Sequence, residues 1–332
     1  MSSDLSILLV GGYGAVGAEA ARTLRRRHPH VRLTIAGRDR AKAVALADSL
    51  GAADGIECDL AAPGLGLSQA HRYRAVAVFA KDDHLHGLDL AIDHGAPYAA
   101  VSEYAVEIAP VLARSVGDGR GIPILLLSHH LGGLVTMTTL HYATEFAVVD
   151  DVRIGAIFDA EDLGGATAQV DAARVARASP HPLLRQDGRW IWADETLSRR
   201  EFHDSDGTAH GGTALSLLDV ASVTAATKAP SVRFDVAVRA PNPNSRPRHD
   251  VVIEIEGQYA SKQKAHLRID IHDDAHHFRM SGRTMAFGLG RLLGLDGRPA
   301  PPPGLHLPET ILGAAAIVQL AQMDGTAINI HR

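Results

Sequence analysis

Ser6-Ile7-Leu8-Leu9-Val10, followed by Gly11-Gly12-Tyr13-Gly14-Ala15-Val16-Gly17, is the stretch on which the reading of this chain turns. The first five residues are mostly apolar and run straight into a turn, which is the pattern of a strand buried on both faces. After the turn, Ala18 to Arg27 is rich in Ala, Leu, Glu and Arg. Val16, Ala20, Ala21 and Leu24 share one side at helical spacing, while Glu19, Arg22 and Arg26 fall on other sides and are expected in water. Val31 to Ala36 reads as a second strand and Ala41 to Leu50 as a second helix, completing a βαβ unit. In that frame Gly12-Tyr13-Gly14-Ala15-Val16-Gly17 satisfies G-x-G-x-x-G between a strand and the helix it opens, the signature of dinucleotide binding. Gly12 permits the tight turn, Gly14 leaves the pyrophosphate unobstructed, and Gly17 lets helix and strand approach. The unpaired amides at the helix start attract the phosphates.

The end of the second strand speaks to which dinucleotide. An Asp or Glu is usual there when a ribose 2′-hydroxyl is bound, but this chain has Ala36-Gly37-Arg38-Asp39-Arg40. Arg38, assisted by Arg40, offers charge-assisted hydrogen bonds to a 2′-phosphate, and Gly37 leaves room for that group. NADP(H) is the expected cofactor. In the alternative assignment Arg38 is a solvated turn residue and Asp39 takes the ribose.

The bulk composition narrows the class. The 332 residues are 46% apolar and 21% charged, with 32 glycines and a formal charge of -5. That is globular composition, long enough for two domains. The clearest basic cluster, Arg25-Arg26-Arg27, ends a helix, so nucleic acid is not an expected partner. One cysteine, Cys58, allows no internal disulfide. No apolar run approaches the roughly 20 residues of a membrane span. A cytoplasmic protein without membrane contact is the expectation.

From the glycine turn through Ala36-Gly37-Arg38, the sequence resembles the NADP-binding domain of saccharopine dehydrogenase-like (saccharopine reductase-like) oxidoreductases. Further segments fall in order. Glu57-Cys58-Asp59-Leu60 resembles the family's third strand, whose tip carries an acidic residue near the adenine. Ala75 to Ala80 resembles the fourth strand, Ala91 to Tyr98 the helix end and turn before the fifth, and Ile122 to Ser128 the sixth. Gly304 to Glu309 looks like the segment before a final helix packed back on the first domain. The likeness is specific over residues 5–104 and loose over 140–300. Many relatives have a Gly-Pro-Phe turn after the fourth strand, where this chain has Lys81-Asp82-Asp83-His84-Leu85-His86. The resemblance implies the fold and the cofactor more strongly than the substrate.

Beyond residue 131 the rhythm changes. Helices are expected at 132–146, 164–178 and 214–227, and strands at 152–158, 189–192, 232–238, 251–255, 265–271 and 277–281. The alternation in Ile253-Glu254-Ile255-Glu256 and His266 to Ile271 points to an antiparallel sheet with one solvated face. Pro241 to Pro247 reads as a loop. The expected fold is α/β: a Rossmann doubly wound parallel sheet over 1–130, with 305–332 packing back onto it. A second α+β domain on a mainly antiparallel sheet spans 131–304 and serves substrate binding or dimerisation. Such a sheet is able to pair across a homodimer.

A nicotinamide enzyme needs a proton donor or acceptor beside the reacting carbon. Candidates follow the strand ends: Lys81, Asp82, Asp83, His84 and His86 after the fourth, Ser102, Glu103 and Tyr104 after the fifth, and Ser128, His129 and His130 after the sixth. Lys81 is the first choice, as a partly desolvated lysine, with His129 or His130 next. Being sequential, these two histidines point apart. With Ala80, Lys81 also borders the cofactor. The 19 histidines show no zinc-ligand spacing, so no metal is expected. The reaction class is hydride transfer from NADPH to an imine or carbonyl of a small molecule, in a cleft between the domains. The imine version rests on the resemblance alone. The other readings are reduction of a C=C bond, as by an enoyl reductase, and a non-catalytic NADP(H)-binding sensor or assembly protein.

Overall fold

The computed structural model describes residues 5–68, 70–101, 104–105, 107–160, 170, 173–175, 177–240, 248–273 and 276–332. In chain order the first half gives β1 (Ile7–Val10), α1 (Ala15–Arg27), β2 (Leu33–Gly37), α2 (Arg40–Leu50), β3 (Ala53–Glu57), β4 (Ala75–Val78), α3 (His86–His94), β5 (Tyr98–Ala100), α4 (Ile108–Val116), β6 (Pro123–Leu126) and α5 (Leu134–Ala143). There follow β7 (Val148–Asp159), β8 (Leu183–Gln186), β9 (Arg189–Trp192), β10 (Arg199–His203), β11 (Ala209–Ala214), α6 (Leu218–Thr227), β12 (Ser231–Arg239), β13 (His249–Gln258) and β14 (Lys264–Asp273). The chain closes with α7 (His277–Leu292), β15 (Gly304–His306), α8 (Ala314–Met323) and β16 (Ala327–His331).

These elements form two compact units. The first comprises Met1–Glu103, Glu107–Ser128 and Ser281–Leu312, and the second Tyr104–Val106, His129–Met280 and Gly313–Arg332. The first unit holds a seven-stranded sheet in the order β15-β6-β5-β4-β1-β2-β3, all parallel. β1, β4 and β5 are buried along their whole length, and Leu8, Val10, Val76, Val78, Tyr98, Ile124 and Leu126 join the core of one face. Burial on both faces is why these strands read as unbroken apolar runs. The strand order reverses between β1 and β4, the place where doubly wound sheets open a crevice at their carboxyl edge. α7 packs on α1 through Gly282, where a Cβ would lie 2.6 Å from the Val16 carbonyl oxygen. Glu19, expected in water, is buried there with its Oε1 3.6 Å from Arg283 Nε.

The second unit is a nine-stranded sheet with β10-β11-β12-β7-β13-β14-β16 in order and the β8–β9 hairpin attached to β12. Among the described residues only β12 and β7 run parallel; the remaining pairs are antiparallel. Val152, Ile154, Val251, Ile253, Ile255, Leu267, Ile269 and Ile271 alternate into one buried face. On the other face arginines interlock with carboxylates. Arg239 bridges Asp159 (2.9 Å) and Asp250, Arg248 reaches Asp250 (3.0 Å), and Arg200 joins Asp235 (2.7 Å) to Glu254 (3.2 Å).

The fold class is that expected from the sequence. Further local expectations change. Residues 277–281 begin a 16-residue helix, not a strand. The third strand ends at Glu57, so Cys58 to Leu60 form its tip and the turn after it. Of 305–332, β15 extends the first sheet beside β6, whereas β16 pairs with β14 and residues 313–332 belong to the second unit. Ser102, Glu103, the loop 241–247 and much of 164–178 lie outside the described residues.

Candidate functional site

β1 ends at Val10 and the chain turns through Gly11 at φ +74°. Gly11 N donates to Ala36 O (2.8 Å), Gly12 N to Leu9 O (3.1 Å) and Gly14 N to Gly11 O (2.9 Å), so the turn is pinned to both flanking strands. A Cβ on Gly12 would sit 2.6 Å from the Leu9 carbonyl oxygen, and one on Gly17 would sit 2.5 Å from Gly11 O and 2.8 Å from Gly12 Cα. Both contacts are with backbone, which cannot swing aside. Gly14 is the N-cap of α1 and supplies no side-chain cap, and the first turn carries no acidic residue. Helix geometry leaves the first-turn amides without intrahelical acceptors at the positive end of the dipole. Gly14 and Ala15 are exposed, so an anion can approach the open first-turn amides that follow Gly14, whose own N–H is held by Gly11 O.

At the tip of β2 the Tyr13 hydroxyl accepts from Asp39 N (3.0 Å), and the Tyr13 ring lies over Gly37, whose Cβ would be 2.5 Å from Tyr13 Cε1. The glycine is required by that ring, so the space expected to be open above Gly37 is filled. Asp39 caps α2: its Oδ1 accepts from Lys42 N (3.1 Å) and its Oδ2 lies 3.5 Å from Lys42 Nζ. The Lys42 amide, ahead of the neighbouring ammonium, holds the Asp39 carboxyl below its ordinary range. Arg38 and Arg40 are exposed and carry no hydrogen bond or ion pair among the described residues. Cys58 N donates to Gly37 O (3.0 Å), which sets the exposed Asp59 at the next strand tip, its Oδ1 accepting from Ala61 N (2.9 Å). Leu60 O is 2.9 Å from His86 Nδ1, tying the loop after β3 to the loop after β4, where the His84 and His86 rings stack at 5.1 Å.

Beside β1, Phe79 N donates to Val10 O (2.9 Å), and Ala80 Cβ lies 3.8 Å from where a Gly11 Cβ would be. Lys81 follows. Its Nζ is 3.8 Å from Glu107 Oε2, with the two side chains 16% and 17% exposed. The expected desolvated lysine is thus an ion pair under partial cover. Asp82 is buried, and burial pushes its carboxyl up, although it accepts from Gly87 N (2.6 Å) and His86 N (3.1 Å). It caps α3, a role the sequence did not reveal. Asp83 and His84 are exposed.

In the second unit His129 and His130 point apart, as consecutive residues must in an extended entry to a turn. His129 is buried with Nε2 2.8 Å from Ser222 Oγ, and burial pushes it down to about 3. His130 N donates to Asp219 Oδ2 (2.8 Å) while Thr136 Oγ1 donates to Asp219 Oδ1 (2.7 Å), fixing a turn that passes through Leu131 at φ +52°. The His130 ring meets Phe158 and Phe234 edge-on, and its Nε2 lies 2.9 Å from His249 Nε2. One of these two nitrogens must donate and the other accept, so the pair shares a single proton there. Burial, then the neighbouring His277, pushes His130 down to about 3; burial, then His130 and His277, holds His249 well below its ordinary range. Sequence reasoning missed His249 and His277. His249 opens the apolar stripe of β13 at the same parity as Val251 and Ile253, a signal present in the alternation. His277 was hidden inside the misread strand. Among the described residues no three His, Cys, Asp or Glu side chains are grouped to hold a metal ion, and no helix is long and apolar enough to cross a membrane.

No family model matches the sequence, and no curated protein matches it. Solved structures do. Saccharopine dehydrogenase (L-Glu forming) from Saccharomyces cerevisiae is similar over 98% of this chain and 99% of its own, with a TM-score of 0.68 at 13% identity. A probable dehydrogenase from Thermotoga maritima is similar over 98% of both chains, with a TM-score of 0.51 at 14% identity. With its parallel sheet, glycine turn and second, mainly antiparallel sheet, this chain has the saccharopine dehydrogenase-like fold.

Proposed function

We propose that the protein is an NADP(H)-dependent oxidoreductase that transfers hydride to an imine or carbonyl carbon of a small molecule. The observation that carries the reading is the tip of β2. Asp39, the carboxylate suited to a ribose hydroxyl, is committed to capping α2, while Arg38 and Arg40 stand exposed without partners. A 2′-phosphate suits two unpaired guanidinium groups better than an unphosphorylated ribose does.

In this reading the turn Gly12-Tyr13-Gly14-Ala15-Val16-Gly17 holds the pyrophosphate through backbone amides. Tyr13 and Gly37 shape the floor beneath the adenosine ribose, and Arg38 and Arg40 take its phosphate. Asp59 and Leu60 border the adenine, and Ala80 and Lys81 line the crevice between β1 and β4. Bound reduced nicotinamide supplies the hydride. Lys81, its ammonium held beside Glu107, gives the substrate heteroatom its proton. His130 is neutral near pH 7 and is assigned a hydrogen-bonding role with His249, and His129 a packing role. The imine preference follows the likeness to saccharopine dehydrogenase.

Titration calorimetry tests the cofactor. Wild type binds NADPH more tightly than NADH. Arg38→Ala weakens NADPH by roughly one to two orders of magnitude, the loss of one or two charge-assisted hydrogen bonds, and leaves NADH unchanged. Absence of heat with either nucleotide overturns the reading; equal NADPH affinity in Arg38→Ala overturns the phosphate assignment.

A further inference from the structure

The chain has two tryptophans, and both lie on β9, a four-residue strand reading Arg189-Trp190-Ile191-Trp192. They are 45% and 61% exposed. Large aromatic side chains left in water on one strand mark an interaction surface. Among the described residues β9 pairs with β8 alone, and no strand or main-chain hydrogen bond meets its other edge. The hairpin is closed by Asp187 at φ +48° and Gly188 at φ +76°, a two-residue turn with both central residues left-handed. Such a turn makes the closing pair, Gln186 and Arg189, the hydrogen-bonded kind, and the kinds alternate from there. Arg189 and Ile191 therefore direct their main-chain groups at β8, and Ala193 continues the pattern by donating to Pro182 O (2.8 Å). Trp190 and Trp192 direct theirs outward. Ile191 packs inward on Leu184, Ala193 and Ala214, and Arg185 stacks over the Trp190 ring at 5.4 Å.

We infer that β9 is the self-association edge of this protein, pairing antiparallel with β9 of a second copy about a two-fold axis at Ile191. In that register Trp190 lies opposite the partner's Trp192 and Trp192 opposite the partner's Trp190. Each is a hydrogen-bonded pair, so all four outward amides and carbonyls of the two tryptophans are satisfied. The four indoles line up on one face, the cross-strand aromatic arrangement that stabilises sheets. Charge favours the same register. Arg189 meets Ala193, and no like charges oppose each other within the strand, whereas a shift that brings the two turns together sets Arg189 against its own copy. The outer strands of the same sheet are guarded by charge: β10 carries the exposed Arg199 and Glu201, and β16 ends at His331 with Arg332 just after it. A second copy is the occupant because the edge is complementary to itself.

Sedimentation velocity with tryptophan fluorescence tests this, since the two reporters are the interface. Wild type sediments as a dimer at micromolar concentration, and its emission shifts to the red on dilution along the same curve. Trp192→Lys, at an exposed position, is monomeric with unchanged circular dichroism. Ile191→Cys places two thiols at the close, non-hydrogen-bonded pair on the axis, where a disulfide fits, and mild oxidation links two chains. Wild type that stays monomeric at every concentration overturns the inference and leaves the strand to a different occupant. So does a Trp192→Lys dimer as tight as wild type, or an Ile191→Cys chain that does not cross-link. None of these outcomes touches NADPH binding, which is measured separately.

Discussion

Lys81 and Glu107 set the first test at the level of single residues. If the ammonium supplies the proton, Lys81→Met lowers kcat by about two to four orders of magnitude, the range for a general acid, while calorimetry finds NADPH affinity nearly unchanged. Loss of nucleotide binding in the same variant would make Lys81 a cofactor ligand only. Gly17 gives the second test. A methyl group there would press on Gly11 O and Gly12 Cα at 2.5 and 2.8 Å. Gly17→Ala should therefore destabilise the fold by about 1–3 kcal/mol, the usual penalty for overpacking, read as a lower urea midpoint. A stability equal to wild type would show that α1 can retreat from β1. Gly37 teaches a related lesson. A glycine at a strand tip suggests room for a ligand, yet here a tyrosine four residues from Gly17 in the same turn occupies that room, which no local pattern discloses.

Among the elements, α3 hangs on one buried carboxylate. Asp82 accepts two amides of its first turn, so Asp82→Ala should cost about 0.5–2 kcal/mol, as other lost caps do. It should also loosen the loop from Lys81 to His86, visible as faster amide exchange at His86 and Gly87. Unchanged exchange there would show that packing alone fixes the helix. The elements legible in the sequence were those built on burial. β1, β4, β7, β13 and β14 announce themselves through apolar runs or alternation. β10 and β11 do not, because Arg200, Phe202 and Gly212 are held by particular partners rather than by a stripe: Arg200 pairs with Asp235 and Glu254, and the Phe202 ring fills the space over Gly155 and Gly212. α7 failed for another reason. Its start, His276-His277-Phe278-Arg279, contains no Ser, Thr, Asp or Asn to read as an N-cap, and its glycines at 282 and 288 lower helix propensity while fitting α1 and Leu127. The glycine turn and the exposure of the arginine at the tip of β2 were readable because each is set by its immediate neighbours in the chain. The pairing of His130 with His249 joins residues 119 apart in sequence, and no spacing rule reaches that far.

For the molecule as a whole, the buried histidines set a pH response. The folded state holds His129 and His130 at about 3, whereas unfolded histidine titrates near 6.5. Below that value the unfolded chain binds protons that the native state refuses, so stability is greatest above about 6.5 and falls as the pH drops towards about 3. The slope is about 1.4 kcal/mol per pH unit for each such residue. Urea midpoints measured between pH 7 and 5 should decline, and His129→Gln should reduce the decline; a flat profile would mean that these imidazoles are hydrated. The path of the chain carries a further consequence. The first sheet receives β15 only at residues 304–306, after the entire β7–β14 excursion, and the second receives β16 at 327–331. Each sheet therefore gains its last strand from residues far along the chain from those that build the rest of it. A nascent chain arrested near residue 300 would expose the β6 and β14 edges together, two main-chain templates open to wrong pairing.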